Sequence, residues 1–253
     1  MLKLILIGTG NVASHLFNTF LNSKEVSIEQ VFGRNQEKLK KFSKYVPVTS
    51  LSSEIKEADI YIIAVSDDVI ISVAQLLGNK QGIIAHTSGS VSIKALNHKK
   101  AAVFYPLQTF TKNKKIDFSS IPICLEASNK KDLIVLKKLA KNLSNSIFEV
   151  SSSQRKKLHL AAVFANNFTN HLFQISKDLC DSEKLPFDIL KPLIYETANK
   201  LEDLNPSEAQ TGPAKRNDVE TMQQHLEQLK DPIHKKLYQL ISESIRDSNE
   251  KKL

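Results

Sequence analysis

The chain has 253 residues, 41% of them apolar and 25% charged, which suits one large globular domain or two modest ones. Its formal charge of +8 would admit nucleic acid, an acidic surface or a phosphorylated small molecule, but the lysines fall in scattered pairs such as Lys40-Lys41 and Lys137-Lys138, without interleaved aromatics. Neither nucleic acid nor a membrane is therefore expected as a partner. Two cysteines make no disulfide framework, and the seven histidines show no zinc-ligand spacing, so the expectation is a cytoplasmic protein without a metal.

In chain order, "LKLILIG" reads as a strand buried on both faces. Val12, Leu16 and Phe20, with Ala13, Phe17 and Leu21 beside them, predict an amphipathic helix. "IEQVFGR" is a second strand, "VPVTS" a weak third and "DIYIIAVS" a strong fourth, followed by a helix over "DDVIISVAQLLG". "GIIAHTSGS" predicts a fifth strand and a turn. "AAVFYPLQ" and "IPICLEAS" add strands, "KDLIVLKKLAKNL" a helix and "SIFEV" a last strand. Strands alternating with helices imply βαβ units and a mostly parallel sheet. Past Ser151 the pattern is helical: "RKKLHLAAVFANNFTNHLFQISKDLC", then "PFDILKPLIYETANKLEDL" with Pro186 in its first turn. "NPSEAQTGPAKRND" reads as a loop or broken helix, and "PIHKKLYQLISESIRD" carries Ile233, Leu237, Ile241 and Ile245 on one face. The expected fold class is α/β, with a sheet domain over 1–150 and an all-helical domain over 151–253.

After the first strand stands Gly8-Thr9-Gly10-Asn11-Val12-Ala13, a G-x-G-x-x-A turn. Gly8 allows the tight turn, Gly10 lets backbone approach a pyrophosphate, and Ala13 permits close helix–strand packing. Free N–H groups at the helix start would hold the phosphates. The bland alternative is a tight turn that binds nothing. At the end of the second strand an acid would select NAD, but Glu29 falls too early and Gly33 occupies that place. Arg34, Asn35 and Lys38 follow, and an arginine fork suits a 2′-phosphate. The expected cofactor is NADP(H) and not F420, against the alternative that Arg34 is a solvated turn residue.

Ligands of open parallel sheets lie beyond the carboxyl ends of strands. Val65 and Ser66 would border the nicotinamide there, with Asp67 as the N-cap of the next helix. His86, Ser88 and Gln108 come to the same edge. In the helical half, His159 lies near Asn166 and Asn167 on one helix face, as a candidate general acid with an asparagine to orient a carbonyl. A core histidine is the equal alternative. Arg216 could hold a substrate carboxylate, or pair structurally with Asp218.

Together "LIGTGNVASHL", "VFGRN", "AVSDDVI", "HTSGS", "FYPLQTF", "HLAAVFANNFTNHL", "PLIYETANK" and "AQTGPAKRND" resemble the Rossmann-type proteins with a helical DUF2520 domain, known as NADP oxidoreductases of the coenzyme F420-dependent type. The N-terminal part is also similar to pyrroline-5-carboxylate reductase, ketopantoate reductase and the β-hydroxyacid dehydrogenases. The resemblance implies an NADP-binding domain, a helical domain that closes the site and builds a homodimer, and a cleft lined by His86, Ser88, Gln108, His159, Asn167, Arg216 and Asp218. In two of those relatives a lysine stands four residues before an asparagine on the first long helix. Here Val163 and Ala162 precede Asn167 and Asn166, so the lysine mechanism does not carry over. The expected activity is hydride transfer to or from a small anionic carbonyl or imine compound, with His159 or His86 moving the proton. A non-catalytic NADP(H)-binding redox sensor or assembly partner is the alternative.

Overall fold

The computed structural model of the protein describes residues 1–112 and 114–250. An eight-stranded sheet runs in the order β3-β2-β1-β4-β5-β6-β7-β8. Its strands are β1 Leu2–Ile7, β2 Val26–Phe32, β3 Val48–Thr49, β4 Ile60–Ile63, β5 Ile83–His86, β6 Ala101–Pro106, β7 Ile123–Ala127 and β8 Ile147–Glu149. Every neighbouring pair is parallel except β6 with β7. The weak third strand is only two residues long. Helices α1 Asn11–Phe20, α2 Gln36–Ser43, α3 Ile70–Leu76 and α4 Lys130–Lys141 fall between strands.

The apolar run of β1 has the physical reason expected of it. Alternate side chains of a strand point to opposite faces. Leu4 and Leu6 pack into one core with Leu16, Phe17 and Phe20 of α1. Ile5 and Ile7 pack into a second core with Ile63, Ile70 and Leu77. Both faces of the strand are therefore dry, and each such side chain contributes about 1.5–3 kcal/mol by burial.

The chain divides into two compact units, Met1–Asn166 and the chain from Asn167 onward. Among the described residues no strand follows β8, but the division comes later than the expected 150/151. Helix α5, Ser152–Ala162, belongs to the sheet unit because it carries the fully buried Arg155. A capping box at Ser151 and Gln154 starts that helix. A π-helical stretch, Val163–Phe168, follows, and then α6, Thr169–Ser182.

The second unit continues with α7 Lys191–Asn199, α8 Pro206–Ala209, α9 Val219–Gln228 and α10 Pro232–Glu250. The long helix expected from Pro186 is interrupted. Short 3-10 turns at Phe187–Leu190 and Lys200–Glu202 bracket α7, and Pro192 stands in its first turn. Among the described residues no helix is long and apolar enough to cross a membrane.

Candidate active site

Strand β1 has β2 on one side and β4 on the other, so the connections leave it in opposite directions. A cleft opens beyond the carboxyl ends of strands at such a switch point. Here it measures about 850 Å³ and is lined by Gly8 to Val12, Gly33 to Asn35, Lys38, Val65, Ser66, Thr87, Gln108 and Phe110, among others.

The glycine turn forms its floor. Gly8 has φ 124°, and a Cβ there would lie 2.2 Å from the Ala64 carbonyl oxygen. Only glycine meets both conditions. Gly10 is the N-cap of α1 and provides no side-chain cap. A Cβ at Gly10 would meet nothing within 4 Å, and Gly10, Asn11 and Val12 line the cleft. Such an uncapped, open helix start fits an anionic group. Ala13 is fully buried against the sheet, as close helix–strand packing requires.

At the end of β2 a Cβ on Gly33 would lie 2.5 Å from Thr9 Cγ2. A side chain at this place would require Thr9 to move, and the residue present is glycine, so no carboxylate stands here. Arg34 and Lys38 are exposed along the same wall. Asn35 also borders the cleft, but its Oδ1 accepts the Lys38 N–H at 2.9 Å and caps α2. Positive charge accumulates behind this wall. Burial lowers the Lys41 ammonium from its ordinary range, and Lys112 and Lys38 lower it further.

The opposite end is built by three strand ends. Asn11 Nδ2 donates to the Phe110 carbonyl at 2.9 Å, and His15 Nε2 lies 3.0 Å from the Thr111 carbonyl. These bonds hold the segment after β6 beside the start of α1, which brings Gln108 to the cleft. Gln108 Oε1 accepts the Thr109 N–H at 2.8 Å. Ser66 is the N-cap of the 3-10 turn Asp67–Val69, without a side-chain cap. Asp67 is therefore not the cap expected of it; its carboxylate accepts the Ser90 hydroxyl instead.

The turn after β5 departs most from expectation. His86 does not line the cleft: it is fully buried, and its Nδ1 accepts the Ser88 N–H at 3.1 Å. Nε2 has no hydrogen-bond partner among the described residues. Burial pushes the imidazole down to about 4, with the Arg155 charge adding to the effect. His86 is thus neutral at neutral pH, and the role of proton donor does not fit it. Ser88 is also buried, and its Oγ accepts the N–H groups of Ser90 and Val91 at 3.1 and 3.0 Å. It braces the turn, while Thr87, passed over in the sequence, faces the cleft.

His159 on α5 is half-buried, and its Nδ1 lies 3.1 Å from the Tyr105 hydroxyl. A Cβ on Gly89 would come within 2.6 Å of that Nδ1 and 2.9 Å of Tyr105 Cζ. The turn, the tyrosine and the histidine are therefore in direct contact. One helical turn earlier, Arg155 Nε donates to the Ser88 carbonyl at 3.1 Å, and its other nitrogens reach Glu126 and the Val91 carbonyl. Tyr105, Glu126 and Arg155 escaped the sequence reading. The four-residue spacing of Arg155 and His159 was a usable signal that both share one face.

Asn167, Arg216 and Asp218 belong to the second unit. Asn167 is exposed in the π-helical stretch, and Arg216 is exposed. Asp218 is a helix cap before it is anything else. Its Oδ1 accepts the Thr221 N–H at 3.1 Å and its Oδ2 the Thr221 hydroxyl at 2.8 Å. Those bonds hold its carboxyl below the usual range, and Arg216 adds attraction.

Two family models match the chain: NADP oxidoreductase coenzyme F420-dependent over residues 3–89, and the domain of unknown function DUF2520 over residues 121–245. Comparison with curated proteins finds no match. Among solved structures, a "putative NADP oxidoreductase" from Bacteroides fragilis is 37% identical, with TM-score 0.89, covering 97% of this chain and 98% of its own. A protein from Thermotoga maritima is 22% identical, with TM-score 0.76 and coverage of 98% and 99%. A reductive aminase from Aspergillus terreus, in complex with NADPH and ethyl levulinate, shares the fold at 15% identity and TM-score 0.70, covering 98% of this chain and 95% of its own. With its glycine turn, its acid-free second strand end and these matches over nearly its whole length, the chain belongs to the NADP oxidoreductases of the coenzyme F420-dependent type that carry a DUF2520 domain.

Proposed function

We propose that the protein is an NADP(H)-dependent oxidoreductase that passes a hydride to or from a small, anionic carbonyl or imine compound. The carrying observation is the second strand end, where Gly33 stands in place of an acid and Arg34 and Lys38 line the same wall. The open helix start at Gly10 would hold the pyrophosphate, and Arg34 with Lys38 the 2′-phosphate. Val65, Ser66, Thr87 and Gln108 would border the nicotinamide. When bound, the cofactor supplies the hydride; the chain orients it and handles the proton. The reductive aminase, seen with NADPH and a keto ester, supports a carbonyl or imine substrate. The +8 charge favours an anionic one.

Fluorescence titration tests the cofactor. NADPH should bind at least about tenfold more tightly than NADH, and Arg34→Ala should close most of that gap. Equal affinities, or none, overturn the reading. A non-catalytic NADP(H)-binding role draws support from Val163 and Ala162, where related enzymes carry a lysine. Turnover of any carbonyl or imine probe eliminates it.

We also infer a homodimer through the helical unit. Leu172, Leu179, Leu193, Tyr195 and Ile241 leave apolar surface uncovered there. Light scattering that gives a monomer at micromolar concentration overturns this inference.

A further inference from the structure

We infer that Tyr105 is the residue that hands the proton to the substrate, and that His159 positions it and restores its proton. This rests on the oxidoreductase reading above and names the proton donor for it.

Placement comes first. Tyr105 is the penultimate residue of β6, at the carboxyl edge of the sheet. In the parallel pair of β5 and β6, His86 stands opposite Val103, so Tyr105 lies two residues further along, roughly 6–7 Å past that level. Thr87 on the neighbouring strand end and Gln108 just after β6 both line the cleft. They mark the end opposite Arg34. The tyrosine therefore stands directly behind Thr87 and Gln108, adjoining the end of the cleft that the nicotinamide would occupy, without itself forming its lining.

The chemistry of the alternatives points the same way. His86 is neutral, sealed off, and has Nδ1 committed to the Ser88 N–H. Cys124, opposite Tyr105 on β7, is buried, and burial pushes its thiol up. Asp67 is committed to Ser90. Tyr105 keeps partial exposure, and its hydroxyl has an imidazole nitrogen 3.1 Å away. Burial raises the phenol above its ordinary range, with the charges of Cys124, Arg155 and Asp67 as smaller influences. It therefore enters the reaction protonated at neutral pH.

The step balances. As the hydride reaches the C=N or C=O carbon, the heteroatom gains the pair of the broken π bond. The Tyr105 O–H bond breaks and an N–H or O–H bond forms on the substrate. The phenolate then takes the Nδ1 proton of a His159 ring protonated on both nitrogens, which is left as neutral imidazole. His159 is half-buried, so its ring can recover a proton from water. Gly89 makes the pairing possible, since any Cβ there would collide with His159 Nδ1 and Tyr105 Cζ.

The test uses the full chain, NADPH, and a panel of 1-pyrroline-2-carboxylate, 1-pyrroline, pyruvate and 2-oxobutyrate. On a probe that turns over, Tyr105→Phe should lower kcat by about 10²–10⁴-fold while NADPH affinity holds. His159→Ala should lower kcat and move its pH profile, and His159→Gln, which can still bond the phenol, should recover part of the rate. Site-specific 3-fluorotyrosine at 105 guards against a misfolded variant. It should move the alkaline limb of the profile to lower pH. A Tyr105→Phe rate within about threefold of the parent, or an unmoved limb, overturns the assignment. NADPH binding without turnover of any probe also overturns it, but leaves cofactor binding intact. Failure to bind NADPH overturns the oxidoreductase reading itself.

Discussion

The two units of this chain solve burial in different ways. In the sheet unit, Leu4, Ile5, Leu6, Ile60, Ile62, Ile63, Ile84 and Ala85 are all fully removed from water, and α1 adds Leu16 and Phe20. In the second unit, Ala214 and Met222 are the only buried apolar residues among those described. Helices α6 and α7 bury none. Helices of this length take most of their stability from packing an apolar face. The sheet unit supplies its own cover; the helical unit leaves apolar side chains such as Leu179 and Leu193 exposed. The difference teaches that a sequence with amphipathic helices specifies the stripes, while the cover for them need not be in the same chain. It can be broken or sharpened experimentally at three places.

The largest effect is expected at Arg155, which ties α5 to the sheet unit. Its guanidinium is fully buried and bonded to Ser88, Val91, Ser152 and Glu126. Breaking a buried pair on one side costs about 3–5 kcal/mol, because the remaining charge stays unpaired. Arg155→Leu should lower the unfolding free energy by about that much in urea. The double variant with Glu126→Leu should recover a substantial part, since no carboxylate is then stranded. A loss below about 1 kcal/mol for the single variant would show that α5 is not anchored this way.

His86 gives the next effect and concerns pH. Its folded value, pushed down to about 4 by burial, lies below its ordinary value of 6.5. Between these two values the unfolded chain binds the proton and the folded chain does not. Stability from this group is therefore complete above about pH 6.5 and drains away as pH falls toward 4, by about 3 kcal/mol in all. His86→Asn should flatten that segment of the stability curve. An unchanged slope between pH 6.5 and 4 would mean that the imidazole is not held neutral.

Much of the sheet unit was legible in advance. The glycine turn, the strand order of polarity and the missing acid at Gly33 are local features, and local features survive in a sequence. The contacts around His159 and Arg155 were not legible, because their partners come from distant parts of the chain. Tyr105 and His159 are 54 residues apart, and Arg155 and Ser88 are 67. His86 looked like a site residue because it ends a strand beside a glycine turn. The pleat decides its burial, and sequence position alone does not reveal which side of a strand end faces the cleft. Asp218 has a further role that its spacing from Arg216 did not reveal: it caps the following helix.

The smallest of the three effects addresses the helical unit directly. Helices α6 and α10 there border a groove of about 320 Å³ lined by Leu172, Leu179, Leu237, Ile241 and Ile245. Ile241 retains 37% of its surface and Leu179 retains 47%. If a second copy covers these residues, a charge at Ile241 must be buried unpaired on association. Ile241→Glu should then weaken the dimer by about 2 kcal/mol or more, roughly thirtyfold in dissociation constant. Because the side chain is part-exposed in the single chain, the helix itself should tolerate the change, and helicity by circular dichroism should hold. Sedimentation at several concentrations reads the two effects apart. A dimer as tight as the parent's would place the contact elsewhere on the helical unit, and helicity lost along with association would mean that Ile241 serves the chain's own packing.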